Sequence, residues 1–282
     1  MNPVRILVDS TADLTPEVRS RLTVVPLTIH FGEEQYIDGV TITHKAFYEK
    51  LIECDTLPTT SQATPFDFME HFEKAVAAGE DVVAITLSSK LSGTFQSAMI
   101  AAEDFPGRVH VVDSRSVAIG SGILAQYALA LVDQGMDAAS IAAKLMEERK
   151  NIHLVALLDT LEYLKKGGRI SKTVAFAGNL LSIKPVICLD GGEIKILGKA
   201  RGSRQGNNLL IQEIQTGGVD DSRPVLLGYT GLEDSLLQKY IQDSASLWNG
   251  KLDQLPAARI GSTVGTHVGP GAIAVAFFQP TT

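Results

Sequence analysis

The chain has 282 residues, 45% of them hydrophobic and 20% charged, which suits one large domain or two modest ones of ordinary globular usage. A net charge of −7 argues against a nucleic-acid partner, and no apolar stretch is long enough to span a bilayer. Two lone cysteines, Cys54 and Cys188, form no CxxC and read as reduced thiols of a cytoplasmic protein; six histidines without HxxxH or HxH spacing give a metal site no support.

The N-terminal stretch reaches Asp9 too soon for a signal peptide. "VRILVDS" (4–10) reads as a buried strand, and "LTVVPLTIHF" (22–31) as a second. Phe47, Leu51 and Cys54 share one face of a predicted helix with Thr43 as its N-cap. "TPFDFMEHFEKAVAAG" is a helix capped by Thr64, with Pro65 in its first turn and Gly79 past its end. After the strand "DVVAITL" (81–87), Phe95, Ala98, Met99 and Ala102 follow helical spacing up to Pro106-Gly107. The strand "RVHVVDS" (108–114) leads to a long helix through "ILAQYALALVDQG" and another over "DAASIAAKLMEERK". This alternation predicts a parallel sheet covered on both faces.

The pattern changes after "HLVALLDT". "LEYLKKGGRIS" predicts a short helix ending at Gly167-Gly168, and "TVAFAGNLLSI" another helix. "KPVICLD" and "EIKILGKAR" flank Gly191-Gly192 as a hairpin. A helix near 207–215, the strand "PVLLGYT", a helix "EDSLLQKYIQ" and the apolar run "AIAVAFF" complete the chain. The expected fold class is therefore α/β: an N-terminal α/β/α domain (1–157) with a parallel sheet, then a C-terminal α+β domain (158–282) with a mixed sheet.

Candidate chemistry gathers at turns. "TLSSKLSGTFQSA" (86–98) sets Ser88, Ser89, Ser92, Gly93 and Thr94 between a strand and a helix. Beyond the carboxyl end of a parallel strand, small hydroxyls and unpaired N–H groups suit a carboxylate or phosphate. Plain capping by one serine is the competing reading. Thr59, Thr60 and Ser61 precede the Thr64 helix and read on their own as a polar loop; Asp9, Ser10 and Thr11 read as a cradle or an Asx turn. Gly120-x-Gly122-x-x-Ala125 starts too late after its strand for a dinucleotide fingerprint, so its glycines serve close packing or close ligand approach. "GGEIKILGKA" fails as a P-loop, and no GxSxG is present. Arg201, at the end of the hairpin, suits bidentate contact with a carboxylate. His267 lies among glycines just before the last apolar run.

Taken in order, "ILVDSTADL", "TTSQ", "SSKLSGTFQSA", "VVDSRSVAIGSG", "LEYLKKGGRIS", "LLSIKPVI", "GKARG" and "HVGPG" resemble the DegV family of bacterial fatty-acid-binding proteins across nearly the whole chain. One departure is Ala63, where the family usually has proline after the Gln. The resemblance implies a non-catalytic lipid-binding subunit without a cofactor. One long-chain fatty acid would be buried in it and presented to a separate ATP-binding kinase subunit, which makes the acyl phosphate for phospholipid synthesis. A stand-alone fatty-acid carrier is the alternative. The family's head-group residues carry over to Thr60, Ser92, Arg201 and His267, with Ser61, Gly93 and Thr94 adjoining.

A sixteen-carbon tail would contribute on the order of 11 kcal/mol, at about 0.8 kcal/mol for each of roughly fourteen methylenes. An unpaired buried carboxylate would cost several kcal/mol. The tail thus drives binding and the polar cluster cancels the head-group penalty. Lys165, Lys166, Arg169 and Lys172 read as a solvated basic turn; the sharper reading is a docking patch for the kinase or for transient contact with an anionic membrane. A Ser92–His267 hydrolase lacks a nucleophile elbow and a third triad member.

Overall fold

The computed structural model describes residues 2–170, 183–248 and 255–280. The chain runs through β1 (Val4–Asp9), α1 (Pro16–Arg19), β2 (Thr23–Val25), β3 (Thr28–Phe31), β4 (Glu34–Ile37), α2 (His44–Glu53) and β5 (Thr59–Ser61). Next come α3 (Pro65–Ala77), β6 (Asp81–Thr86), α4 (Thr94–Ala102), β7 (Val109–Asp113), α5 (Ile119–Asp133) and α6 (Ala138–Glu148). It continues as β8 (Ile152–Leu157), α7 (Glu162–Lys166), β9 (Ile183–Asp190), β10 (Glu193–Arg201), α8 (Ser203–Gly217) and β11 (Leu226–Tyr229). It ends with α9 (Ser235–Asp243), β12 (Ala257–Arg259), α10 (Ser262–Val268) and β13 (Ile273–Phe278). Of the helix expected over 173–183, residues 173–182 lie outside the described residues, as does Lys172, and Ile183 begins β9.

Among the described residues the strands form three sheets. The order β2-β1-β6-β7 is all parallel. A small antiparallel sheet runs β4-β3-β5. The third, β10-β9-β8-β13-β11-β12, is mixed: only β11 and β12 run parallel. The molecule is thus an N-terminal parallel-sheet domain with helices followed by a domain with a mixed sheet, the class expected from the sequence. β8, the last segment before the expected boundary at 157, is hydrogen-bonded between β9 and β13 in the mixed sheet.

Alternation along β1 explains the layering. Ile6 and Val8 face α5 and α6, where Leu124, Ala128, Ile141 and Leu145 are buried. Leu7 faces the other way, toward Phe68 and Phe72 of α3 and Ala98 of α4. Both faces are covered, so Ile6–Val8 of β1, Val82–Ile85 of β6 and Val111–Val112 of β7 are unbroken apolar runs. α5 is apolar almost all round because its far side, through Ile119 and Ile123, packs against Leu154, Ala274 and Phe278 of the mixed sheet. The opposite face of that sheet is closed by Leu210 and Ile214 of α8 with Leu237 and Tyr240 of α9.

Two local expectations are corrected. "LTVVPLTIHF" is two strands, because Pro26 has no N–H for a ladder; β2 joins the parallel sheet and β3 the small one. The buried face of α4 is Thr94, Ser97, Ala98 and Ala101, whereas Met99 is 41% exposed. Small side chains allow close approach to the sheet, and the larger apolar ones are left outside. "STVGTHV", which the sequence reading left as a glycine-rich stretch before the last apolar run, is a helix, α10.

Candidate functional site

The hydroxyls between β6 and α4 have separate tasks. Asp9 accepts the Leu87 N–H at 2.7 Å and fixes the end of β6. Ser88 Oγ donates to the Gly192 carbonyl at 2.7 Å and ties this turn to the tip of the β9–β10 hairpin. Gly192 has φ +91°, and a Cβ there would lie 2.5 Å from Ser88 Oγ, so the hairpin tip tolerates no side chain. Ser89 donates to Asp113 through its hydroxyl at 2.6 Å and its N–H at 3.2 Å. Ser97 Oγ accepts from Gln62 Nε2 at 3.0 Å. Only Ser92 and Gly93 of this stretch's small residues face the cavity described below. The N-cap of α4 is Gly93, without a side-chain cap, so serine capping is not what the cluster does. Thr94 is fully buried behind Ser92: their hydroxyls are 2.9 Å apart, and the Thr94 N–H donates to Ser92 Oγ at 3.3 Å. Thr94 orients Ser92 and does not itself reach the cavity. Asp9 and Thr11 form an Asx turn, with the Thr11 N–H and hydroxyl donating to Asp9 Oδ1 at 2.9 and 2.6 Å.

Thr60 and Ser61 belong to β5, a three-residue strand on the edge of the small sheet, where the sequence reading had a polar loop. Ser61 Oγ lies 2.9 Å from His30 Nε2 on neighbouring β3. Thr60 Oγ1 lies 2.9 Å from Nε2 of His267, which α10 brings in from 207 residues away. Burial, reinforced by the positive charge of Arg169, pushes the His267 pKa down to about 4, so the ring is neutral near pH 7. Its Nδ1 is buried without a hydrogen-bond partner, against the backbone of Gly167. A proton on Nε2 leaves no buried N–H unpaired. In that tautomer Nε2–H donates to Thr60, and the Thr60 hydroxyl keeps its own proton for a ligand. Ser92 is engaged with Thr94 and His267 with Thr60, an arrangement unlike a Ser–His nucleophile pair.

These groups rim a cavity of about 350 Å³. Thr60, Ser61, Gln62, Ser92, Gly93 and His267 line its polar part; Leu27, Leu91, Leu164 and Ile194 are among its apolar walls. Val117, Ile194, Val264 and Val268 also line a second space of about 50 Å³. That space is wholly apolar and lies over the mixed sheet, where Ala156 and Ala274 are cross-strand partners. On its outer side the cavity shares Thr60, Arg169 and His267 with a groove of about 390 Å³ that also includes Asp55 and Lys166. These three side chains therefore form a wall one layer thick.

Arg201 is not brought to this rim. It ends β10, is exposed, and uses its backbone N–H on Gln205. It pairs with Ile183, whereas cavity-lining Ile194 pairs with Leu189. Six residues of β9 separate the two levels, about 20 Å along the ladder. The guanidinium at the cavity is Arg169, donating to the carbonyls of Gly167 at 2.7 Å and Leu91 at 3.3 Å. Sequence reasoning had placed it in a solvated basic turn. Its neighbour Lys166 does behave so, paired with Glu162 at 2.7 Å. Among the described residues no helix is long and apolar enough to cross a membrane, and no cluster of three His, Cys, Asp or Glu is arranged to hold a metal ion.

A family model described as "Uncharacterised protein, DegV family" matches residues 3–280. The chain is 34% identical over 281 residues to a DegV domain-containing protein of Caldanaerobacter subterraneus subsp. tengcongensis, covering 98% of this chain and 99% of that one. Among solved structures, it resembles a fatty-acid-binding DegV family protein from Thermus thermophilus, with a TM-score of 0.87, 30% identity, and 99% and 100% of the two chains covered. It also resembles a stearic-acid-binding protein from Eubacterium ventriosum, with a TM-score of 0.86, 26% identity and 98% of each chain covered.

Proposed function

This chain belongs to the DegV family, and from that premise we propose that it binds one long-chain fatty acid and presents the carboxylate to a separate ATP-dependent kinase subunit. The observation that carries the reading is continuity: a polar rim of Thr60, Ser61, Ser92, Gly93 and His267 opens into an apolar interior that runs on over the mixed sheet. The tail enters that interior, whose size is within the range of small-molecule sites. At the rim the Thr60 hydroxyl, committed as a donor by His267, and the Ser92 hydroxyl meet the carboxylate. Arg169, in place of Arg201, supplies the compensating charge.

Kinase presentation rests on the family resemblance, and the thin wall of Thr60, Arg169 and His267 suits it, since a partner in the outer groove would stand next to the carboxylate. Native mass spectrometry of the purified protein should find one acyl chain per protein, or take-up of one when a sixteen-carbon acid is added. A protein that neither carries nor takes up an acyl chain overturns the reading. With the kinase's ATP-binding subunit and ATP, the loaded protein should yield acyl phosphate. Retained lipid without turnover would favour the stand-alone carrier.

A further inference from the structure

α10 carries His267, yet it has seven residues, and its N-cap, Gly261, supplies no side-chain cap. Its first turn is held from elsewhere in the chain. The Gly261 N–H donates to Asp13 Oδ1 at 2.8 Å, across 248 residues. Thr263 donates to Asp38 Oδ2 through its hydroxyl at 2.7 Å and its N–H at 3.3 Å. Just ahead of the helix, Tyr48 donates to the Ile260 carbonyl at 3.0 Å.

The same oxygen, Asp38 Oδ2, also accepts from Ser10 Oγ at 2.9 Å. Ser10 Oγ in turn accepts the Leu27 N–H at 3.0 Å, and the Asp38 N–H donates to the Leu27 carbonyl at 2.9 Å. Leu27 immediately precedes β3, the strand on which β5 and Thr60 are registered. One carboxylate oxygen thus ties together the two supports of the Thr60–His267 pair. On one side is the sheet that carries the threonine; on the other is the helix that carries the histidine, one turn beyond Thr263. Asp38 is 4% exposed and Asp13 5%.

We infer that Asp38, seconded by Asp13, is a positioning residue that sets His267 against Thr60. The inference rests on the fatty-acid reading of the rim only for its effect on binding. The pair is separated by 2.9 Å. A relative slip of roughly half an ångström takes it beyond hydrogen-bond distance. Without the bond the Thr60 proton is no longer directed at the ligand.

The test compares Asp38→Asn with Glu148→Gln, which removes a buried charge far from the rim and serves as a reference for lost stability. Affinity for a sixteen-carbon fatty acid is measured for both at temperatures of equal distance below their melting points, and the His267 ring is followed by 15N NMR. Asp38→Asn should bind at least about tenfold more weakly than the reference, with displaced His267 ring resonances. Equal affinity in the two variants, or an unchanged ring signal, overturns the inference. Should Asp38→Asn not fold, Ser10→Ala removes the link to Leu27 without altering the cavity lining. It should move the same ring resonances, and wild-type signals there overturn the inference equally. The ring signal also separates the two claims: a wild-type protein that takes no fatty acid defeats the functional reading, while displaced resonances in Asp38→Asn still uphold the positioning.

Discussion

At His267 burial is worth more than charge. The ring's folded pKa of about 4 lies below its ordinary 6.5, so the unfolded chain takes up the proton first as pH falls. The neutral ring's contribution is complete above about pH 6.5 and is lost as the pH drops through about 4. An NMR titration of the folded protein should place the His267 midpoint near 4. The wild type should also lose more stability to urea between pH 6.5 and 4 than a His267→Asn variant does. The two arginines separate just as sharply. Arg169→Gln should weaken fatty-acid retention at least about tenfold, as expected when a buried carboxylate loses its charged donor. Arg201→Gln should leave retention within about twofold, as for an exposed residue outside the cavity; occupancy by native mass spectrometry reads both. Ser92 and Gly93 were marked by a turn whose residue types suggest anion chemistry, whereas Thr60, Ser61 and His267, a polar loop and a histidine among glycines on their own, were singled out by the family resemblance; all five line one cavity. Arg169 was not legible: a string of basic residues looks like a solvated face, and nothing local reveals that the chain after Gly167 turns one of them inward.

Elements were read well where hydrophobic period and caps agree. Thr43 and Thr64 do cap α2 and α3, and Thr64 with Asp67 forms a full capping box. The reading faltered where tertiary contact overrides period. β2 and β3 form one apolar run divided between sheets by a proline, and α10 hides its helical character because Gly261 and Gly269 bound it and Gly265 interrupts it. The glycines of α5 were read as serving close packing or close ligand approach, and their contacts are with the protein's own atoms. A Cβ on Gly122 would lie 2.2 Å from the backbone oxygen of Asp13, which cannot swing aside as a side chain can. Gly122→Ala should therefore cost about 1–3 kcal/mol, seen as a lowered urea midpoint with an unchanged denaturant slope.

Across the whole molecule, several ion pairs join parts distant in the chain, and one of them is largely buried. Arg223, just before β11, pairs with Glu148 at the end of α6 and covers the rings of Tyr127 and Phe278. Lys144 at 3.0 Å and Asn151 at 2.9 Å complete the carboxylate's shell. The Arg223 hydrogen bond is the main reason that the Glu148 pKa falls to about 2. Because the folded pKa lies below the unfolded one, this stabilisation is full above about pH 4.5 and disappears as the pH falls through about 2. Glu148→Gln should cost about 2–3 kcal/mol at pH 7 and flatten the acid limb of the stability profile, measured by denaturation between pH 7 and 2. The parallel and the mixed sheet were visible in the alternation of elements along the chain, but the small antiparallel sheet and the sharing of α5 between the other two were not, since periodicity records burial without naming the partner. Pro26 and Leu27 are all that separates β2 of the parallel sheet from β3, on which β5 is registered. The entrance is therefore anchored, within two residues, to some of the most deeply buried backbone in the protein. If the cavity takes a fatty acid as proposed, an arriving guest would find its polar contacts already standing, their ordering entropy surrendered at folding and not at capture. What would be left to lose is the freedom of the hydrocarbon, so discrimination among guests would fall to the chain and hardly at all to the acid.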